Sequence, residues 1–423
     1  MTTTAGPAAP TDEVRDLVAR RVPGHTLEAP FYTSEAVYEA DLSAVWSRTW
    51  LFVAHEAEVR EPGDFVTVDV GPSSVIVLRD DDGVVRGLRN VCRHRGARVL
   101  TEREGSVGNL VCGYHRWTYA VDGSLLHAGD QAPDFDKGCW SLRQVHVRLV
   151  AGLVFVCLAA DPPDDVDDLV ATVSPYLLPH ALHRTKVAAQ VDLVEEANWK
   201  LVMENNRECY HCEGSHPELT CTFFPTWGIA PDRVPPRLRV AHERYLAAEA
   251  ALERTCDERG LPYAEVEALE AERRTAFRVQ REALDGAGES YTTDGSLAVR
   301  RLLGDLDVPR LGRASVHTQP NGWYHALSDH VVTFSVLPLG PTRTLVRTTW
   351  LVHEDAVEGE DYDVDALTLV WRVTNEQDSA LVARAQAGVT DPGYVPGPYA
   401  PSERQVETFT AWYVARMQEH LAP

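Results

Sequence analysis

Two short stretches, each pairing a cysteine with a histidine, constrain this chain more than any other feature. They are Cys92-Arg93-His94 and Cys112-Gly113-Tyr114-His115, and 17 residues separate His94 from Cys112. Each follows an apolar run and lies in a glycine-containing turn, which is typical of a β-hairpin tip. This ligand set fits a [2Fe-2S] cluster in which two histidines replace two cysteines on one iron. The pattern therefore predicts a β domain that carries single electrons.

A structural zinc site is the alternative, because Zn²⁺ also binds two cysteines and two histidines. Zinc modules usually group like ligands, with Cys-x₂-Cys followed by His-x₃₋₅-His on a small finger. Here each half carries one ligand of each type. The arrangement favours the iron–sulfur cluster, with Cys92, His94, Cys112 and His115 as its ligands.

Length and composition limit the other possibilities. The chain has 423 residues, enough for two domains, and a net charge of -23, which argues against nucleic-acid binding. No apolar run approaches the roughly 20 residues of a membrane helix, and residues 1–10 lack the basic residues of a signal peptide. Eight cysteines do not make a disulfide scaffold at this length. Since an iron–sulfur site needs reduced thiols, we expect a cytoplasmic protein.

The pattern along the chain predicts three parts. Residues 1–45 are expected to form a helical segment, residues 46–165 a cluster-binding domain of short strands, and residues 166–423 a domain of mixed helices and strands. Within the last part, the Ala-, Glu- and Arg-rich residues 240–284 suggest exposed helices. Neither G-x-G-x-x-G after a strand nor a Walker loop occurs, so electrons have to come from another protein.

A second metal site is predicted in the last part. Residues 198–211 read as one helix capped by Asn198, on which Glu204, Glu208 and His211 share a face. His216 precedes a proline, which favours a turn that brings it back toward His211. Two histidines need one carboxylate to complete the facial triad of an oxygen-activating ferrous site.

The third ligand is less constrained by spacing. Asp378 is our choice because it lies in a predicted helix over residues 365–386, but Glu376 or Asp391 would serve as well on spacing alone. Cys209 and Cys212 form a C-x-x-C pair, a redox motif that belongs at a helix N-terminus. Late in the predicted helix they are expected to be packing residues.

These motifs together resemble the α subunits of Rieske non-heme iron oxygenases. The residues that carry the resemblance are Cys92-x-His94-Arg95-Gly96, Cys112-x-x-His115, Trp117-Thr118-Tyr119, Asn198-Trp199-Lys200, Glu204-Asn205, Glu208-Cys209-Tyr210-His211 and His216-Pro217. Further stretches resemble the branch that demethylates glycine betaine and related quaternary amines, namely Ser328-Asp329-His330, Trp350-Leu351-Val352-His353, Asn375-Glu376-Gln377-Asp378 and Pro396-Gly397-Pro398-Tyr399. The similarity extends from about residue 30 to the C-terminus.

The resemblance implies an α+β protein with an all-β Rieske domain and a helix-grip (START-like) catalytic domain built on an antiparallel sheet. It also implies a mononuclear Fe(II) on His211, His216 and Asp378, O₂ as co-substrate, and NAD(P)H electrons from a separate flavin and iron–sulfur reductase. Asn205 and Glu208 are expected to be catalytic. Glu208 replaces the family's usual aspartate and would bridge His211 to a cluster histidine of a neighbouring subunit, in a homotrimer.

The implied reaction is hydroxylation of an N-methyl group of a small cationic substrate. A quaternary ammonium has no proton to donate, so aromatic rings are expected to hold it by cation–π contacts. The candidate rings are Phe223, Phe224, Trp227, Trp323 and Tyr324. Each of them could equally be a core residue. Another cation (stachydrine, carnitine or choline), a specialised metabolite, an arene dioxygenase subunit and a plain electron carrier remain alternatives.

Overall fold

The structure, a computed structural model, describes residues 12–226, 229 and 231–422. Its strands are β1 (Leu51–His55), β2 (Asp64–Val70), β3 (Ser73–Arg79), β4 (Val85–Arg89), β5 (Glu104–Ser106), β6 (Leu110–Val111), β7 (Thr118–Tyr119), β8 (Leu125–His127), β9 (Gln144–Val150), β10 (Leu153–Cys157), β11 (Thr185–Glu195), β12 (Val266–Ala268), β13 (Phe277–Glu282), β14 (Arg313–Thr318), β15 (Gly322–Ala326), β16 (His330–Gly340) and β17 (Arg343–His353). Its α-helices are α1 (Asp12–Ala19), α2 (Pro30–Thr33), α3 (Glu35–Asp41), α4 (Val166–Leu177), α5 (Trp199–Asn206), α6 (Cys212–Ser215), α7 (Pro217–Thr220), α8 (Arg239–Arg259), α9 (Val364–Val389) and α10 (Arg404–Leu421). Among the described residues, no helix has the length and apolarity to cross a membrane.

The first domain is built on antiparallel strands in the order β1-β10-β9-β4-β3-β2-β5. In β3 the five central residues, 74–78, are all buried, as expected for a run rich in β-branched side chains. A smaller sheet of β6, β7 and β8 stands beside it. The Cys92 stretch follows β4, and the Cys112 stretch connects β6 to β7. Two different sheets therefore present the two predicted ligand loops.

The second domain is built on an antiparallel sheet in the order β11-β17-β16-β15-β14-β13-β12. The long helix α9 packs on one face, where Trp371 lies 4.9 Å from the ring of Phe334. The other face packs on the first domain, where Tyr324 lies 4.8 Å from the ring of Phe52. The expected combination of an all-β domain with an α+β domain built on an antiparallel sheet is confirmed.

The prediction of exposed helices over residues 240–284 is wrong for its second half. Helix α8 accounts for the first half, but β12 and β13 follow, and all six residues of β13 are buried. Polar side chains are tolerated there because each finds a partner. Arg278 pairs with Glu265 at 2.6 Å, and Arg281 donates to the carbonyl oxygens of Tyr176 and Leu311.

A buried ion pair anchors the N-terminal segment to the second domain. Asp41, at the end of α3, and Lys200, in α5, are both fully buried and in contact. Asp41 also accepts hydrogen bonds from Trp199 Nε1 at 2.9 Å and from the Tyr413 hydroxyl at 2.6 Å. Burial lowers the pKa of Lys200, and Asp41 opposes that change. The pair thus fixes α5, which leads into the second predicted metal site.

Replacing Asp41 by asparagine should lower the free energy of unfolding by about 3–5 kcal/mol, because Lys200 would keep a buried charge without its counter-ion. Urea denaturation followed by tryptophan fluorescence measures the change. Glu39→Gln is the matched control, since it removes the same charge from an exposed position of the same helix. Equal stability of the two variants would show that the ion pair does not anchor the segment.

Candidate metal centres

The two Cys/His loops share one backbone geometry. In each loop the residue four positions after the cysteine donates its amide to the cysteine carbonyl at 3.0 Å, Gly96 to Cys92 and Arg116 to Cys112. Both donors have a positive φ, 77° for Gly96 and 59° for Arg116. Such a backbone costs little for glycine and is uncommon for arginine. The two loops differ in sequence, yet they form the same backbone turn after the cysteine.

The loops place their cysteines inside and their histidines outside. Cys92 is 3% and Cys112 1% exposed, whereas His94 and His115 are exposed with ring centroids 4.6 Å apart. Burial raises the pKa of the Cys112 thiol, and the neighbouring Cys92 raises it further. Two buried thiols beside two imidazoles form a donor set that a cationic cluster would satisfy. The residues present fit a [2Fe-2S] cluster with its histidine side toward solvent.

Two aromatic residues support these ligands. The Trp117 ring stacks on His94 at 5.0 Å with an interplanar angle of 7°. The Tyr119 hydroxyl lies 3.3 Å from Cys92 Sγ and accepts the Arg93 amide at 3.0 Å. Hydrogen bonds to ligand sulfur raise a cluster's potential. The sequence contained both residues in the Trp117-Thr118-Tyr119 motif but gave no reason to assign them these contacts.

The second centre brings Asp378 to two histidines, His211 and His216, that lie far from it in the sequence. The Nε2 atoms of His211 and His216 lie 3.3 Å and 3.1 Å from Asp378 Oδ1. The two rings are 5.1 Å apart and nearly perpendicular, at 82°. His216 Nε2 is buried and has no partner with the geometry of a hydrogen bond. Three ligand atoms converge here, and one of them has no hydrogen-bond partner. This arrangement fits a metal ion better than a set of mutual hydrogen bonds.

The other ring nitrogens hold the two imidazoles in place. His211 Nδ1 lies 2.5 Å from Glu208 Oε1, and His216 Nδ1 lies 2.8 Å from Gln377 Oε1. With Nδ1 carrying the proton, each Nε2 is free to bind a metal, as is usual for metal-bound histidines. Gln377 in turn donates to Glu218 at 3.0 Å. Sequence analysis missed this role of Gln377, although it directly precedes Asp378.

The carboxylate beside the histidines is Asp378, and neither alternative occupies that place. Glu376 points outward on α9 with its side chain 60% exposed, and Asp391 accepts the amide of Gly393 beyond the helix. Burial alone would raise the pKa of Asp378, but the two histidines and Asn205 outweigh it and lower the value to about 2. Asn205 Nδ2 donates to Asp378 Oδ1 at 2.7 Å. Asn205 therefore orients the carboxylate.

The prediction of one continuous helix over residues 198–211 is wrong. Helix α5 ends at Asn206 because the buried Arg207 side chain turns toward the sheet and donates to the carbonyl oxygen of Thr318 at 3.2 Å. Glu204 faces away from the site and accepts the hydroxyl of Tyr32 at 2.9 Å. Glu208 and His211 lie on the loop after the helix, so they meet through a turn and do not share a helical face.

The expectation for the two cysteines of this loop is also wrong. Cys209 and Cys212 are joined in a disulfide with a Cα–Cα distance of 5.0 Å. Helix α5 ends before Cys209 and helix α6 begins at Cys212, so the two cysteines do not lie on one continuous helix. The disulfide therefore closes a short covalent loop that contains Tyr210 and His211.

The predicted substrate residues are not all in one place. Trp323 and Tyr324 are neighbours on β15 and so point to opposite faces of the sheet. Trp323 stacks on Phe334 at 4.8 Å, on the face that carries α9. Tyr324 packs on the first domain, and the prediction that it lines the pocket is corrected. Phe224 lies against Tyr245 of α8 at 5.4 Å, which also argues against a pocket role.

Of the remaining two candidates, Phe223 lies near the face of the sheet that carries α9. The centroid of its ring is 6.5 Å from that of Tyr291. Trp227 lies outside the described residues. An aromatic residue that sequence analysis missed is Trp371, which contacts Tyr291 at 5.3 Å, His325 at 5.1 Å and Phe334 at 4.9 Å. It precedes Asp378 by two turns of α9, so both side chains lie on the same face of that helix.

The chain matches two family models. Residues 49–146 match the Rieske [2Fe-2S] domain, and residues 182–419 match the ring-hydroxylating α subunit (catalytic domain). The first match contains all four candidate cluster ligands, and the second contains the two histidines and Asp378.

Curated relatives match along nearly the whole chain. The glycine betaine monooxygenase oxygenase subunit of Chromohalobacter salexigens is 41% identical over 98% of this chain and 91% of its own length. The protein of the same name from Pseudomonas aeruginosa is 39% identical over 96% of this chain and 92% of its own. A carnitine monooxygenase oxygenase subunit of Acinetobacter pittii is 33% identical but matches only 45% of this chain and 53% of its own.

Solved structures share the fold. A quaternary ammonium Rieske monooxygenase in complex with L-carnitine aligns with a TM-score of 0.68 at 21% identity, covering 95% of this chain and 98% of that chain. Naphthalene 1,2-dioxygenase from Rhodococcus aligns with a TM-score of 0.66 at 20% identity, covering 97% of this chain and 99% of that chain.

Proposed function

The chain belongs to the ring-hydroxylating α-subunit family of Rieske oxygenases, and from this premise we propose that it removes an N-methyl group from glycine betaine. The observation that carries the proposal is the convergence of His211, His216 and Asp378 in a chain that also carries the paired Cys/His loops. The names of relatives about 40% identical support the substrate.

The reaction balances as a monooxygenation. Glycine betaine, O₂, two electrons and two protons give the N-hydroxymethyl compound and water. That compound then loses formaldehyde, and the nitrogen keeps a proton, so the product is dimethylglycine. A ferrous ion bound by the three ligands would supply the activation of O₂.

Neighbouring side chains of the protein hold the three ligands of that centre in position. Asn205 holds Asp378, Glu208 and Gln377 hold the two imidazoles, and Glu195 lies nearby without adding charge at neutral pH. Burial raises the pKa of Glu195 to about 8, and Asp378 contributes to the rise.

Electron delivery is proposed to pass between copies of the chain. Within the described residues, Glu208 has hydrogen bonds only with Tyr210 and His211, and its neighbour Tyr210 is 72% exposed. His94 and His115 are exposed, and the Glu208 side chain is 12% exposed, so we propose that they meet when two copies of the chain associate. This supports the homotrimer expected for the family. A separate flavin and iron–sulfur reductase and a cytoplasmic location complete the proposal.

The trimethylammonium group is proposed to lie against the aromatic cluster on α9. Trp371, Tyr291, Phe334 and Trp323 surround a region on the same face of α9 as Asp378. Trp371 Cα lies roughly 10 Å along the helix from Asp378, so a cation bound against its ring would lie close to the metal ligands. Aromatic faces attract such a cation by about 1–2 kcal/mol each when it is desolvated.

A single-turnover experiment tests the proposed reaction without the reductase. Anaerobically reduced, iron-loaded protein is mixed with O₂ and glycine betaine, and formaldehyde and dimethylglycine are measured. We expect both products in amounts stoichiometric with the iron, and none from protein stripped of iron.

Carnitine and choline serve as competing substrates in the same assay. Product from carnitine alone would assign the chain to another quaternary amine. Oxidation of the cluster without product from any of these amines would reject N-demethylation as the reaction.

A further inference from the structure

The Cys209–Cys212 disulfide lies next to Glu208 and His211, the two residues proposed to pass electrons to the iron. Glu208 directly precedes it, and the metal ligand His211 lies inside its ring. Cys212 is 6% exposed, whereas Cys209 is partly exposed next to the exposed Tyr210. A reagent in solution therefore reaches one sulfur of the bond far more easily than the other.

The buried sulfur is also close to the metal site. The ligand atoms of His211, Cys212 and His216 all lie within 4.8 Å of one another. Cys209 is not part of this group. In the disulfide, Cys212 Sγ is bonded to Cys209 and has no charge to offer a metal. As a thiolate it would be a strong ligand for soft and borderline metals.

We propose that this disulfide decides which ligands the metal site offers. With the disulfide formed, the site is the His211, His216 and Asp378 triad, whose single carboxylate suits Fe(II). With the disulfide reduced, the Cys212 thiolate joins the two histidines and makes a set that binds zinc. The inference rests on the proposed metal centre and adds a redox-controlled second mode of that same centre.

The exchange reaction balances with a dithiol as reductant. One thiolate of the dithiol attacks the accessible Cys209 sulfur, the Cys209–Cys212 bond breaks, and Cys212 leaves as the thiolate beside the histidines. The second thiol of the reagent then attacks the reagent's own sulfur in the mixed disulfide, and Cys209 leaves as the thiolate. The reagent ends as its own disulfide, and Cys209 and Cys212 are reduced by two electrons. Cytoplasmic disulfides, where they occur, are usually transient and redox-sensing.

Zinc-edge X-ray absorption on the full chain tests the ligand change. The [2Fe-2S] cluster does not contribute at this edge, so it can stay in place while the mononuclear site is filled with zinc. We expect only nitrogen and oxygen at about 2.0–2.2 Å in the untreated protein, and an added sulfur shell at about 2.3 Å after dithiol treatment. Mass spectrometry of the alkylated peptide that contains both cysteines reports the disulfide itself.

Two single substitutions form a matched pair for this test. Cys209→Ser leaves Cys212 as a permanent thiol and should show the sulfur shell without any reductant. Cys212→Ser leaves the distal thiol and should show no sulfur under either condition. Zinc bound by nitrogen and oxygen alone in Cys209→Ser would overturn the proposal, as would a fully alkylated pair of cysteines in the untreated protein.

The result is separable from the proposed reaction. A sulfur shell in Cys209→Ser together with no formaldehyde from any amine would support the ligand change and reject the demethylase assignment. Formaldehyde release together with no sulfur shell would reject the ligand change alone.

Discussion

Replacing Glu208 by glutamine is expected to leave both metal centres filled and to slow reductase-driven turnover by about 10- to 100-fold. The carboxylate lies 2.5 Å from His211 Nδ1, and a neutral amide is a weaker acceptor for that proton. The iron itself does not contact Glu208 in this proposal, so its occupancy should not change. Iron analysis, cluster absorbance and the rate of cluster reoxidation in stopped flow measure the three quantities separately.

The matched control is Glu213→Gln, which removes the same charge from an exposed position in the adjacent helix α6. It should turn over like the unmodified protein. Unchanged turnover in Glu208→Gln would remove this residue from the electron route. Loss of iron in that variant would instead make Glu208 a residue that positions His211 for metal binding.

Replacing Asp378 by alanine should abolish iron binding and product formation while the cluster stays intact. Two neutral imidazoles then remain, and they do not balance the charge of Fe(II). Asn205→Ala should give the graded version of this defect, weakening iron binding about 10- to 100-fold, because Asp378 loses the amide that orients it. Iron titration with a competing chelator measures both, and the [2Fe-2S] absorbance reports the cluster.

Glu376→Ala is the control for these two variants, since Glu376 lies on the same helix with its side chain exposed. It should bind iron like the unmodified protein. If Asp378→Ala kept its iron and Glu376→Ala lost it, the assignment of the third ligand would be reversed.

Local motifs carried most of the information that the sequence offered about the metal sites. The Cys/His stretches lie on tight turns, and a turn is decided by a few neighbouring residues, so their geometry could be anticipated. The pairing of His211 and His216 with Asp378 depends on how α9 packs on the sheet. Spacing could therefore name Asp378 only as one of three candidates.

The wrong predictions concern segments whose structure depends on contacts with residues that are distant in the sequence. The helical pattern through residue 211 is plausible in isolation, but burial of Arg207 against Thr318 ends α5 early. The charged residues of β13 look exposed in the sequence because their partners, such as Glu265 for Arg278, are not neighbours on a predicted element. Trp323 and Tyr324 were both assigned to the substrate pocket, although neighbours on a strand point to opposite faces, and the packed structure shows that Trp323 is the one that faces α9.

Helix α9 carries both the proposed metal ligand Asp378 and the proposed substrate contact Trp371. Replacing Trp371 to admit bulkier amines would risk shifting Asp378, because a helix transmits a local displacement along its axis. Phe223 and Tyr291, whose rings lie 6.5 Å apart, belong instead to loops outside that helix. Engineering of substrate range should therefore start from these loop residues, which do not share a helix with Asp378.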